Sequence, residues 1–280
     1  MLRGRLLALA ILVAATPLAY AQVDVLNNAQ TTAGANHQAH ATPQREAGIP
    51  DYGGVRTEVP GIWLTPVANS PFSASVDILT HEKLPDGTER IRTTTNHVAR
   101  SASGRIYNER RLLVPATFKG LPPLLSGHTY DPGTHLSVVL EPREHLAKQV
   151  ILAHPNPVIP GFAPLKVNPH PGPNRTEEEI GSQVFQGFTL QGIRKTHTVA
   201  AATSDTGQPL VVTDEYWFSP ELSIYMIIKH NDPRTGEQLV TVSKVERAEP
   251  DPAIFAIPST FKVVDETPPD QAPFVPPAAQ

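Results

Sequence analysis

Between positions 72 and 247 apolar and polar residues alternate in short runs separated by turn residues, and a period of two is the mark of half-buried strands. Residues 72–81 put Ala74, Val76 and Ile78 on one face, and Pro85-Asp86-Gly87 then turns the chain into a second run at 90–99. A further turn at 101–104 leads into 105–114, completing a three-strand meander. Later runs at 210–218, 222–230 and 238–247 form a second meander, its last turn carried by Asp232-Pro233-Arg234-Thr235-Gly236. Residues 253–264 read as a final edge segment interrupted at Pro258. Thr176 with Glu179 three residues on makes a capping box, and Glu177 and Glu178 suit a first helical turn, so a short helix ending at Gly181 is predicted there. From that point to Ala201 one long strand is expected, bent or bulged at Gly187 and Gly192. These elements predict a mainly β fold, a curved antiparallel sheet of about eight or more strands with one or two short helices.

One hairpin departs from simple alternation. Ile224, Met226 and Ile228 make one face apolar, Tyr225 and Ile227 make the other apolar too, and Val240 and Val242 join the first across the turn. Both faces there must be covered, by the chain itself or by a ligand. Ile224, Met226, Ile228, Val240 and Val242 are therefore the expected ligand-binding residues.

The ends of the chain follow other rules. Residues 1–21 read as a secretory signal: Arg3 and Arg5 are the basic start, 6–15 the apolar stretch, and Ala19-Tyr20-Ala21 the small-x-small cleavage site. The apolar stretch is too short to span a bilayer, so no transmembrane anchor is expected after cleavage. Residues 22–58 lack either period and read as a disordered leader, and 267–280 as a proline-rich disordered tail. The region 59–266 is expected to be a single β-rich domain, with a proline-rich insert at 153–173 that cannot form a central strand.

Composition narrows the function. The 280 residues carry a net charge of −4, which loss of Arg3 and Arg5 deepens to −6, so nucleic acid is a poor partner. The absence of cysteine excludes disulfides, thiol catalysis and cysteine-bound metal. A periplasmic or secreted location is expected. The closest histidine pairs, His37 with His40 and His128 with His135, have no carboxylates spaced as ligands, and neither a metal site nor a cofactor is expected. No nucleophile elbow, zinc-protease, Walker or dinucleotide motif occurs, so no catalytic residue is assigned. The alternative is a hydrolase built on scattered residues. If the strand ending at 202 pairs with 210–218 about a tight turn, His197 lands beside Asp214 and Arg194 beside Trp217, as a His/Asp pair and a cation-π contact.

Several fragments also carry a family resemblance: Ile180-Gly181-x-Gln183, Gly187-Phe188-x-Leu190-x-Gly192-x-Arg194, Glu215-x-Trp217-x-Ser219-x-x-Leu222, a paired strand ending near Lys229, and Glu249-Pro250-Asp251-Pro252-x-x-Phe255-x-Ile257-Pro258. The chain resembles uncharacterised exported bacterial proteins whose C-terminal halves are similar to the half-barrel of periplasmic lipoprotein carriers (the LolA-like superfamily) and of a related envelope-stress sensor. The resemblance is good over 176–264 and looser over 72–114. It implies a half-barrel around an apolar hollow, with a lipid, acyl chain or peptide as ligand and an envelope protein as partner. The function expected is therefore a non-enzymatic binding or interaction module.

Overall fold

The computed structural model describes residues 57–59, 62–84, 86–153, 166–204 and 206–268. The expected signal, nearly all of the leader, most of the proline-rich insert and most of the tail lie outside these residues. The described chain forms fifteen strands: β1 (Thr57–Val59), β2 (Ile62–Leu64), β3 (Phe72–Lys83), β4 (Glu89–Arg100), β5 (Ile106–Arg111), β6 (Val114–Pro115), β7 (Leu124–Asp131), β8 (Leu136–Glu141), β9 (Leu146–Ile151), β10 (Arg175–Phe185), β11 (Phe188–Val199), β12 (Leu210–Ser219), β13 (Ile224–Asp232), β14 (Gly236–Glu246) and β15 (Lys262–Asp265). β1 and β2 form a separate two-stranded ribbon. The others make one curved sheet that starts at β10 and ends at β15 without closing, in the order β10-β11-β12-β13-β14-β3-β4-β5-β7-β8-β9-β15, with β6 attached to β4. All of its pairings are antiparallel except that of β15 with β9. Helical structure among the described residues is confined to single turns at Ala201–Thr203 and Pro252–Phe255. The half-barrel read from the sequence is the architecture observed.

Alternation explains the two meanders. In β3 the buried Phe72, Ala74, Val76 and Ile78 alternate with part-exposed residues, and the register sets Ile78 against Val240, and Val76 against Val242, of β14. Val240 in turn faces Ile228 of β13, which faces Tyr216 of β12. A contiguous apolar block therefore runs across four strands on one side of the sheet. The β1–β2 ribbon lies between β2's contact with β13 and β1's contact with β5, and it buries Ile62 and Leu64 in the same core.

Two expectations need correction, and three strands lie outside the period-two reading. The helix at 176–181 is part of strand β10. A six-residue helix is scarcely more than the unfavourable nucleus, whereas as a strand the segment gains a long ladder to β11 and the pairs Glu177–Lys195 (3.1 Å) and Glu178–Arg194 (3.0 Å). Gly181, at φ +84°, sits where the β10–β11 register shifts, so it accommodates a bulge rather than a helix end. The long strand expected up to 201 is two strands. Gln186 and Gly187 both take positive φ and close a two-residue hairpin between Phe185 and Phe188. Finally, β7, β8 and β9 escape the period-two reading, because His128, Tyr130 and Ser137 occupy buried positions where aliphatic residues are expected.

Candidate ligand-binding face

The five expected binding residues come together, but not at the surface. Ile224, Met226, Ile228, Val240 and Val242 are all at most 2% exposed and belong to the main core, as do Ile62 and Leu64 of the ribbon. Their common face is broken at one point. The β12–β13 register shifts between Trp217, opposite Ile227, and Phe218, opposite Tyr225, leaving Met226 as an extra residue on β13. Such a bulge re-aims neighbouring side chains. Tyr225 is turned toward Tyr216 and Phe218, with ring centroids at 5.8 and 5.3 Å in edge-on contacts, and Ile224, opposite Ser219, falls out of phase with the other four.

That aromatic cluster walls a cleft of about 700 Å³, lined also by Ile193, Glu179 and Lys166. Sequence reasoning missed it. Tyr216 and Phe218 sit at strand spacing and carried a legible signal, but Tyr225 reaches this side only through the bulge. Burial pushes the Tyr216 hydroxyl well above its usual pKa, helped by the carboxylate of Asp214, so it remains a neutral donor.

Beyond the apolar block the same side of the sheet turns polar. Thr94 is opposite Ile78, Asn96 is opposite Val76, and Asn108 is opposite Val98, itself opposite Ala74. On the β13–β14 side His230 is opposite Gln238, which is opposite Thr80. The Thr94 hydroxyl, Asn96 Nδ2, both amide atoms of Asn108, His230 Nε2 and Gln238 Oε1 are buried without a hydrogen-bond partner. An unpaired buried polar group costs about 1–3 kcal/mol, a sizeable share of the roughly 5–15 kcal/mol that stabilises a whole domain. A purely structural core would be expected to bury aliphatic residues here. Their arrangement suits a face that meets polar groups from outside the sheet.

Two buried cationic or titratable residues border this face. Arg100, on β4 opposite Phe72 and Ile106, is fully buried and donates to Ser70 O (2.8 Å), Ser70 Oγ (2.8 Å), Thr65 O (3.3 Å) and Leu222 O (2.6 Å). Burial lowers its pKa to about 10, so it stays charged at neutral pH and clamps the segment that follows the ribbon. His128, opposite Asn108, shares a hydrogen bond with Ser137 Oγ at 2.9 Å, and burial pushes its pKa down to about 4, which keeps it neutral.

The expected His197–Asp214 pair does not form. His197 is opposite Val212, Asp214 is opposite Lys195, and Arg194 is opposite Glu215 rather than near Trp217, bonding Glu215 at 2.7 Å. The helical turn at Ala201–Thr203 lengthens the connection to 200–209 and shifts the register by two residues from the tight-turn expectation. Asp214 instead holds Nδ1 of His230 at 2.6 Å. Among the described residues no cluster of three or more His, Cys, Asp or Glu could hold a metal ion, and no helix is long and apolar enough to cross a membrane.

These features define an open antiparallel half-barrel whose inner apolar block is flanked by an aromatic cleft and a polar margin. No family model matches the chain, and no curated protein matches it. Among solved structures it is similar to an uncharacterised conserved protein from Thermus thermophilus, at 9% identity over 71% of this chain and 91% of that one, with a TM-score of 0.35. It is also similar to MucB, at 10% identity over 71% of this chain and 61% of MucB's length, with a TM-score of 0.34. A LolA-superfamily protein from Nitrosomonas europaea matches at 12% identity over 67% of this chain and 90% of that one, with a TM-score of 0.27.

Proposed function

We propose that the protein is a non-enzymatic binding module, periplasmic or secreted, that holds the acyl chain of an amphiphile along its inner apolar face. The observation that carries this reading is the cleft walled by Tyr216, Phe218 and Tyr225 beside the block of Ile228, Val240 and Val242. Its volume of about 700 Å³ falls within the range of small-molecule sites. The aromatic wall suits a methylene chain, and Glu179 and Lys166 at its margin leave the entrance polar. Ile62 and Leu64 of the ribbon rest in the core that includes the apolar block, and the ribbon has no strand pairing to the large sheet. In this reading an acyl chain takes the place of those two side chains along Met226, Ile228, Val240 and Val242, and Ile224, out of phase beyond the bulge, lies off that path. An envelope protein that delivers or receives the ligand belongs to the same reading.

The experiment is displacement of a fluorescent fatty acid from the full chain. Saturable uptake is expected, and Ile193→Asp, at a half-buried position that lines the cleft, is expected to abolish it with only a modest loss in melting temperature, because a charge there can stay hydrated. If the wild-type protein takes up no acyl probe, or if Ile193→Asp binds as well as wild type, this reading is lost. The proposed export is checked by the intact mass of the secreted chain, which should begin at Gln22.

A further inference from the structure

We propose that Thr94, Asn96 and Asn108 form a polar subsite on the inner face that receives an uncharged hydrogen-bonding group, the ester and hydroxyl region of an acylglycerol. The proposal rests on the acyl-binding reading above and says which head the chain carries. All three side chains are at least nine-tenths buried, and each has at least one unpartnered polar atom. Asn96 Oδ1 already accepts the backbone N–H of Arg111 at 2.7 Å, where the β4–β5 ladder has ended, which leaves its Nδ2 as a donor. Asn108 contributes one donor group and one acceptor, and Thr94 a hydroxyl able to do either. Together these complement ester carbonyls next to a free hydroxyl.

The surrounding charges argue against an ionised head. Arg92 donates to Glu82 at 3.1 Å, and Arg100 is committed to Ser70, Thr65 and Leu222. Glu109 and Arg111 bond each other at 2.7 Å. Glu109 follows Asn108 by one residue on β5, so its side chain leaves the opposite side of the sheet. His128, across from Asn108, is bonded to Ser137 and neutral. A carboxylate or phosphate placed among Thr94, Asn96 and Asn108 would lack a cation and pay its desolvation uncompensated. The span also fits. From Phe218 on β12 to Asn108 on β5 is five strand steps, about 24 Å measured along the sheet and less across its curve, a length suited to a long acyl chain and its head.

The test compares 1-monooleoylglycerol with oleate as competitors for a fluorescent acyl probe, using the full chain at neutral pH, for wild type, Asn108→Leu and Thr94→Val. Wild type should prefer monooleoylglycerol. Asn108→Leu should bind it about tenfold more weakly while holding oleate within about twofold of wild type, and Thr94→Val should shift in the same direction. Both variants should melt at or above the wild-type temperature, since each removes an unpaired polar atom. If Asn108→Leu fails to fold, Thr94→Val, which is close to isosteric, decides alone. Unchanged monooleoylglycerol affinity in a folded variant, or a wild-type preference for oleate, overturns the subsite and leaves the acyl-binding reading intact. Failure of the wild type to bind either competitor removes both.

Discussion

His128 and Arg100 show opposite ways of burying a titratable side chain. The imidazole of His128 is kept neutral, with its pKa lowered from 6.5 to about 4. The unfolded chain therefore takes up this proton first as pH falls. The stabilisation is complete above pH 6.5 and is lost through the window down to about 4, and a shift of this size corresponds to about 3 kcal/mol. Thermal melts from pH 7 to pH 4 should fall steeply, and His128→Gln should flatten that slope. Arg100 stays charged, and its guanidinium satisfies three carbonyls and the Ser70 hydroxyl. Arg100→Met leaves those acceptors unpaired and should cost about 3–5 kcal/mol in urea unfolding.

At the scale of elements, close approach matters as much as pairing. A Cβ on Gly192 would lie 2.7 Å from both Ile180 and the Trp217 ring, so the indole packs directly on this strand because no side chain intervenes. Gly192→Ala should destabilise by about 1–3 kcal/mol through overpacking, measurable as a lower urea midpoint with unchanged slope. The β1–β2 ribbon has the reverse character, holding to the large sheet by side chains rather than by a ladder. Leu64→Ala should lower stability by about 2–5 kcal/mol and, by freeing the apolar block, strengthen acyl-probe binding. A fall in both stability and affinity would show that the ribbon builds the site instead of covering it.

Across the whole molecule the sheet never closes, so it has two edges to protect. Edge strand β10 carries Arg175, Glu177, Glu178 and Glu179 along one half, which discourages pairing with another chain, although Val184 stands 74% exposed near its end. At the other edge β15 covers β9 in parallel. A ligand spanning β12 to β5 would tie the two halves of this open sheet together. Monooleoylglycerol at a hundred times its dissociation constant should add about 2.7 kcal/mol, a rise of roughly 5–10 °C in melting temperature for a domain of this size.

The period-two pattern was sufficient to read β3 and the β12–β14 meander, because there the buried face is apolar and the turns carry Asp, Gly or Pro, whereas β4, with Thr94 and Asn96 on its buried face, was legible from the turns that bound it. The same pattern brought Met226, Ile228, Val240 and Val242 together correctly, since pairing across one hairpin follows from turn position. Only the tertiary structure decided what covers them. The ribbon is six residues of strand lying between β5 and β13, a contact between segments far apart in the chain that leaves no local period. Register was also beyond reach wherever a connection held hidden structure, as at Ala201–Thr203, where two residues of offset separated His197 from Asp214, while Asp214 meets His230 through the β12–β13 pairing. β10 shows that local capping chemistry yields to a neighbouring strand that offers a full ladder. β7–β9 show that strands mixing buried His128 and Ser137 with Tyr130, Val139 and Val150 blur the hydrophobic period, because the His128–Ser137 hydrogen bond lets polar side chains take buried positions.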